Sequence, residues 1–264
     1  LVYLANPPAQ DRYREEFAWE VTHAAESSRR QREEPLVSAA SRALKTLRQR
    51  WLKRDKLVGM VAAIARRRPG TIRLVDIGCS DGGLFRRLVA ALPADVADRL
   101  EPVGIEISTH LAAVADQRLR VHGGRCIHAA GVDGLRQLAP GSVDVVILSC
   151  VLEHELDPVP LLAGCRERLA VDGAVVVKVP NYGCLGRRLR GRRWCGYRWP
   201  DHVNYFTPVT LATTAARAGL ALTRMRLADR SPLSDSLYAV FGRDASAACP
   251  TAADASARSA ILAA

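Results

Sequence analysis

Asp76 stands near the end of an apolar, β-branched run, Ile72 to Ile77, two residues before Gly78. Small residues follow it, Gly78-Cys79-Ser80-Asp81-Gly82-Gly83, and apolar residues then recur at helical spacing from Leu84 to Leu92. A strand, a tight glycine turn and a helix in succession aim backbone N–H groups and a helix N-terminus at a ligand lying above the strand's carboxyl end. The dinucleotide pattern G-x-G-x-x-G is not met, because its positions read Gly78, Ser80 and Gly83. A buried carboxylate at Asp76 would oppose a pyrophosphate; it suits a ligand with a cationic amino group and a sulfonium centre. An ordinary tight turn of an α/β protein is the competing reading.

A second acid, Glu106, closes the run Val103-Gly104-Ile105-Glu106-Ile107. At the tip of an adjacent strand such a carboxylate can accept two hydrogen bonds from vicinal ribose hydroxyls, or it can simply be solvated. Its distance from Asp76 exceeds the ~20 residues of a compact unit, and Pro93 to Glu101 reads as the inserted loop. Two histidines, His154 and His202, stand where a base could act, histidine being the side chain whose ordinary pKa near neutrality suits proton removal from a hydroxyl. Gly186 to Trp194 packs five arginines and a tryptophan into nine residues, with Tyr197 and Trp199 just beyond. Guanidinium groups can fork onto phosphate or carboxylate and the rings can stack on a ligand, or the whole stretch can be a solvated basic loop.

Three segments carry a family resemblance. Val75 to Gly82 resembles the first motif of class I S-adenosylmethionine-dependent methyltransferases, D/E-x-G-x-G-x-G, with Ser80 in place of the middle glycine. Val151-Leu152-Glu153-His154-Glu155-Leu156-Asp157-Pro158 closely resembles the "vLEHv-dP" motif of the ubiquinone-biosynthesis-like branch. Pro200-Asp201-His202-Val203-Asn204-Tyr205-Phe206-Thr207-Pro208 is similar to a stretch that follows the fifth strand in related bacterial enzymes. The resemblance, over residues 70–242, implies an α/β fold: a Rossmann-like, seven-stranded, mostly parallel sheet with helices on both faces, an N-terminal helical cap and an insert after strand 5.

It implies S-adenosylmethionine as cofactor, S-adenosylhomocysteine as product and no metal. The cofactor contacts it implies are Asp76, Gly78, Cys79, Ser80, Gly82, Glu106, Ile107, Val132, Asp133, Ser149 and Cys150. Asp133 reads equally well as a helix N-cap. His154 is placed at the cofactor's edge, with contact ranked above catalysis. His202, beside Asp201 and Tyr205, is the expected base or acceptor-positioning group, anchoring of the insert being the alternative. Arg193, Trp194, Tyr197 and Trp199 are the expected acceptor contacts. The acceptor is expected to be a small molecule of sugar, lipid-linked, quinone-like or secondary-metabolite type, anionic forms included. An RNA or protein methyltransferase using the arginine segment, and a non-catalytic partner protein that kept the fold, are the competing readings.

These residues need a framework, and the composition can supply one. At 264 residues, with 48% hydrophobic and 25% charged side chains, the chain can bury one sizeable α/β core. Lys and Arg number 38 against 27 Asp and Glu, a net charge of +11 that suits an anionic partner or reflects an arginine-rich composition. The 7 cysteines form no C-x-x-C pair, which favours reduced thiols and a cytoplasmic setting. The opening Leu-Val-Tyr-Leu-Ala is too short for a signal peptide, and no run reaches membrane-spanning length. The expected division is a cap over 1–69, a cofactor domain over 70–244 containing an insert at 181–206, and a flexible tail over 245–264. Ser41 to Arg66 reads as helix, closed by Arg66-Arg67-Arg68-Pro69-Gly70. The oligomeric state, a homodimer included, is left open.

Overall fold

Valine and isoleucine runs punctuated by glycine, proline or an acid become the strands. The computed structural model describes residues 2–5 and 55–244, together with positions 28, 31, 32, 39 and 43. The amphipathic stretch expected over Asp11 to His23, the start of the helix expected from Ser41, the body of the cap, and the tail over 245–264 lie outside the described residues.

A two-residue strand β1 (Val2–Tyr3) comes first, and helix α1 (Lys56–Ala65) begins under Asp55, whose carboxylate accepts from the N–H groups of Leu57 and Val58. There follow β2 (Ile72–Ile77), α2 (Gly83–Val89), the short α3 (Ala94–Ala97), β3 (Leu100–Glu106), α4 (Thr109–Arg120), β4 (Arg125–His128), α5 (Gly131–Arg136) and β5 (Val143–Ser149). Next come α6 (Pro158–Arg168), β6 (Leu169–Pro180), α7 (Leu185–Arg190), a 3-10 turn at Gly191–Arg193, β7 (Asn204–Tyr205), α8 (Pro208–Arg217), β8 (Leu220–Arg224) and β9 (Ser236–Arg243). Helix α8 starts with Thr207 and Thr210 forming a reciprocal cap and Pro208 in the first turn, and Gly219 at φ +71° closes it.

Seven strands form one sheet in the order β4-β3-β2-β5-β6-β9-β8; β4, β3, β2, β5 and β6 run parallel and β9 is antiparallel to both neighbours. Alternate residues of the central strands serve opposite faces. On one face Val75, Ile77, Val146, Leu148, Val175 and Val177 pack with Leu135, Leu161, Leu162, Leu211 and Ala215 from α5, α6 and α8. On the other, Leu74, Val145, Ile147 and Val176 meet Val58, Val61, Phe85 and Leu88 from α1 and α2. Burial on both faces is why these strands read as predominantly apolar runs. Because β2 pairs with both β3 and β5, the chain direction across the sheet reverses there, and a crevice opens beyond the carboxyl ends of these strands.

One local expectation changes. Pro93 to Glu101 is not a loop throughout: it holds α3, with Val96 buried, and the first residues of β3. Within β6, pairing to β5 skips from Leu169 to Ala174, so an irregularity in the ladder absorbs the residues between, Asp172 and Gly173 included.

Candidate active site

The strand tips converge on one cavity of about 470 Å³, within the range of small-molecule sites. Its floor is the turn after β2. Gly78, Ser80 and Gly82 there take φ of +67°, +52° and +73°, so the chain alternates through left-handed conformations. Ser80 adopts the geometry that the missing middle glycine would have supplied, at a cost of order 1 kcal/mol for an L residue. A Cβ on Gly78 would lie 2.9 Å from Val151 Cγ2. Gly78→Ala is therefore expected to lower the melting temperature and to weaken cofactor binding at least about tenfold, checked by thermal melts and calorimetry.

The two acids stand on either side of this turn. Glu106 accepts from the Ser80 N–H at 2.8 Å through one carboxylate oxygen and from the Ser108 N–H at 2.9 Å through the other. Each oxygen keeps a lone pair for a ligand. Asp76 is buried on the cavity wall, and no hydrogen bond to its carboxylate is formed by the described residues. Burial first, and the nearby Glu106 charge second, push its pKa up to about 7 against the opposing charge of Arg87. An unpartnered buried acid beside left-handed turn residues fits a ligand that brings its own positive charge.

Of the cofactor contacts expected from the sequence, Asp76, Gly78, Cys79, Ser80, Glu106, Ile107, Ser149 and Cys150 line this cavity. Three others stand elsewhere. Gly82 packs toward Ala115 and Leu119 of α4. Val132 packs against the apolar core, and Asp133 points away to pair with Arg136 at 2.8 Å in the first turn of α5, whose N-cap is Ala130. The wall at that point is Ala129, Ala130 and Gly131. Gly131 is close-packed, a Cβ there lying 2.9 Å from Leu161. That run of small residues was the signal for a close approach by a planar ligand.

At the other end of the cavity stand His154, Glu155 and Asp201. His154 Nδ1 lies 2.9 Å from Asp201 Oδ1 and 2.9 Å from the Asp201 carbonyl. Arg198 Nη2 lies 2.9 Å from Asp201 Oδ2. His154 is raised by its hydrogen bond to Asp201 and by the charges of Glu153 and Asp201, against a larger desolvation cost. Behind it Glu153 is 0% exposed, and among the described residues neither of its oxygens has a hydrogen-bond partner by geometry. Donor atoms of Glu153, His154 and His202 lie within 4.8 Å of one another.

The residue expected as the base, His202, does not reach the cavity wall. It is buried, its Nδ1 is 2.9 Å from the Gly196 carbonyl, and its ring meets that of His154 edge to face at 4.7 Å. Burial, with His154 and Arg198 adding to it, depresses its pKa to about 3. Tyr205 donates its hydroxyl to the His202 carbonyl at 3.0 Å and packs on Tyr197 and Tyr182.

The expected acceptor contacts are likewise displaced. Trp194 is wholly buried over Gly196 and donates its indole N–H to Asp235 at 2.8 Å. Tyr197 lies edge-on to it at 5.3 Å. Trp199 is 78% exposed, and Arg193 sits in the exposed 3-10 turn, its carbonyl accepting from Arg190. These aromatics are the small core of the insert, and none of the four residues lines the cavity. Of the arginines, Arg187 lies over the Tyr182 ring at 4.1 Å.

A mostly parallel sheet in this order, with an acid at each of two adjoining strand tips and a left-handed turn between them, is the class I S-adenosylmethionine-dependent methyltransferase fold. The chain belongs to the methyltransferase-domain family, whose model matches residues 30–224. It is 31% identical over 170 residues to the ubiquinone biosynthesis O-methyltransferase of Cupriavidus pinatubonensis, an alignment covering 61% of this chain and 65% of that protein. It is 27% identical over 178 residues to the protein of the same name from Methylococcus capsulatus, covering 63% and 70%. Among solved structures, the magnesium protoporphyrin IX methyltransferase of Synechocystis, which holds S-adenosylhomocysteine, shares the fold with a TM-score of 0.56 and 16% identity, over 89% of this chain and 97% of that one. An O-methyltransferase from neocarzinostatin biosynthesis, solved with S-adenosylmethionine, gives a TM-score of 0.51 and 22% identity, over 81% and 59%. No helix among the described residues is long and apolar enough to cross a membrane.

Proposed function

We propose that this chain transfers the methyl group of S-adenosylmethionine to a hydroxyl of a small-molecule acceptor. The observation that carries the reading is the pairing of Asp76 and Glu106 across one cavity, with His154 at its far end. Asp76, unpartnered and buried, would face the cationic amino-acid end of the cofactor. Glu106, with a free lone pair on each oxygen, would hold the ribose hydroxyls, and Ala129 to Gly131 would leave room for the adenine. The cofactor supplies an activated methyl group with its leaving group attached. The chain's own part is then to align the acceptor, exclude water and take up the proton. His154 rather than His202 is the proton acceptor in this reading, because it alone of the two borders the cavity. The cofactor domain spans 70–244 with the insert at 181–206, and the cap lies N-terminal to it; the family match begins at residue 30, within that cap.

Calorimetry with S-adenosylmethionine tests the reading, and absence of binding at millimolar cofactor would refute it. The pH dependence is a sharper check. Only the ionised Asp76 attracts a cation, so affinity is expected to be level above pH 7 and to fall by up to about tenfold per unit as pH drops below the carboxyl's pKa near 7. Asp76→Asn should remove that slope while lowering affinity at pH 8.

The acceptor class is open to direct competition. The names borne by the relatives, with an aromatic acceptor in view, favour a small hydroxylated ring. The exposed arginines of the insert favour RNA as the second reading. Phosphate contacts release counterions, so an RNA substrate would bind with a steep inverse dependence on salt, and a small neutral acceptor would not.

A further inference from the structure

We propose that Asp201 is the positioning residue for His154, so that the insert supplies half of the proton-accepting pair. This rests on the methyl-transfer reading above. Sequence motifs put His154 on the loop after β5 and leave Asp201 as a mere neighbour of His202, and nothing in their spacing joins them.

The fold brings them together by docking the insert onto that loop. Val203 and Asn204 donate their backbone N–H groups to the Glu153 carbonyl at 2.8 and 3.0 Å, and the Asn204 side chain donates to the Glu155 carbonyl at 2.5 Å. Residues on both sides of His154 are thereby tied to the strand that follows Asp201. Asp201, 4% exposed, then reaches His154 Nδ1 at 2.9 Å, while Arg198, three residues earlier, fixes its other oxygen. A carboxylate on Nδ1 keeps that nitrogen protonated and selects the tautomer whose Nε2 lone pair is available.

The step then balances. The acceptor's O–H proton passes to His154 Nε2 as its oxygen forms a bond to the methyl carbon, and the electrons of the breaking C–S bond remain on sulfur. The resulting imidazolium lies among Asp201 and Glu153, which favour it, and Arg198, which opposes it. Glu155 from the same loop faces it as well, His202 touches it from the insert, and Lys178 of β6 acts on it through Glu153. Glu153 is wholly buried, and by geometry neither of its oxygens accepts a hydrogen bond among the described residues, which suits a counter-charge needed when His154 is protonated. The proton leaves afterwards to water through the cavity.

The test follows the imidazole nitrogens of His154 by NMR in the full chain, unlabelled by any acceptor. In the unaltered protein the Nδ1–H tautomer should dominate the neutral form. In Asp201→Asn the titration midpoint should fall by about one unit or more, the loss of one close opposite charge. Asp201→Glu should restore most of it, and thermal melts of all three proteins separate this effect from unfolding. An unchanged midpoint and tautomer in a folded Asp201→Asn would overturn the proposal. So would equimolar Zn²⁺ that binds and shifts the His154 and His202 signals together, since coordination would occupy the nitrogen assigned to the proton. Calorimetry with S-adenosylmethionine on the same samples keeps the two readings apart: a protein that fails to bind the cofactor refutes methyl transfer, whereas the NMR result decides the His154–Asp201 pair.

Discussion

His154→Ala is expected to lower kcat by about 10² to 10⁴, the usual range for removing a general base, while the Kd for S-adenosylmethionine changes by less than about threefold. The asymmetry follows from where the side chain stands. His154 borders the end of the cavity that the proposed function gives to the acceptor, whereas the turn from Gly78 to Ser80 and the Glu106 carboxylate, at the end it gives to the cofactor, make no hydrogen bond to it. His202→Ala is the informative companion. It removes a ring packed behind His154, and its expected effect is a loss of stability with kcat reduced less than in His154→Ala. Should the two effects on kcat come out in the opposite order in folded proteins, the base has been assigned to the wrong histidine.

The second large effect is at Glu106. Glu106→Ala should raise the Kd for S-adenosylmethionine about a hundredfold, some 2.7 kcal/mol, as two hydrogen bonds to a charged acceptor are lost. The same carboxylate also anchors the N–H groups of Ser80 and Ser108, so the cofactor turn and the start of α4 lose a shared strut. Calorimetry measures the loss, and Glu106→Gln separates its parts. The amide can still accept from one N–H but cannot serve both with full charge, so it should lie between the alanine variant and the parent. An alanine variant with unaltered affinity would remove Glu106 from the site.

The framework was legible because each signal was local. β2, its turn and α2 could be read from a six-residue run with four apolar members, a glycine and a helical repeat, and β5 from a run apolar enough to need burial on both faces. The strand-tip acids were legible for the same reason, since a charged residue closing such a run has few places to stand. Contacts made across the fold were not. Val132 and Asp133 were expected among the cofactor contacts, but the turn into α5 lines the cavity with the three residues before them. Trp194 looked like a stacking platform because an aromatic among arginines suggests a ligand. Only the structure shows that it closes over Gly196 and bonds to Asp235, 41 positions away. Which of His154 and His202 borders the cavity was not legible either, because both sit in motifs of the family and only the docking of the insert brings His154 to the cavity wall.

The raised pKa of Asp76 also couples cofactor occupancy to the resistance of the fold to heat. Folding favours the protonated acid, so this group's stabilising contribution is complete below its ordinary value of 3.8 and is lost as pH rises through about 7. The empty protein thus carries a buried charge, only partly compensated by Arg87, under mildly alkaline conditions, where a cationic ligand is held most firmly. Melting curves should accordingly show a larger upward displacement on adding S-adenosylmethionine at pH 8 than at pH 5.5, which makes the cofactor a protective agent chiefly on the alkaline side.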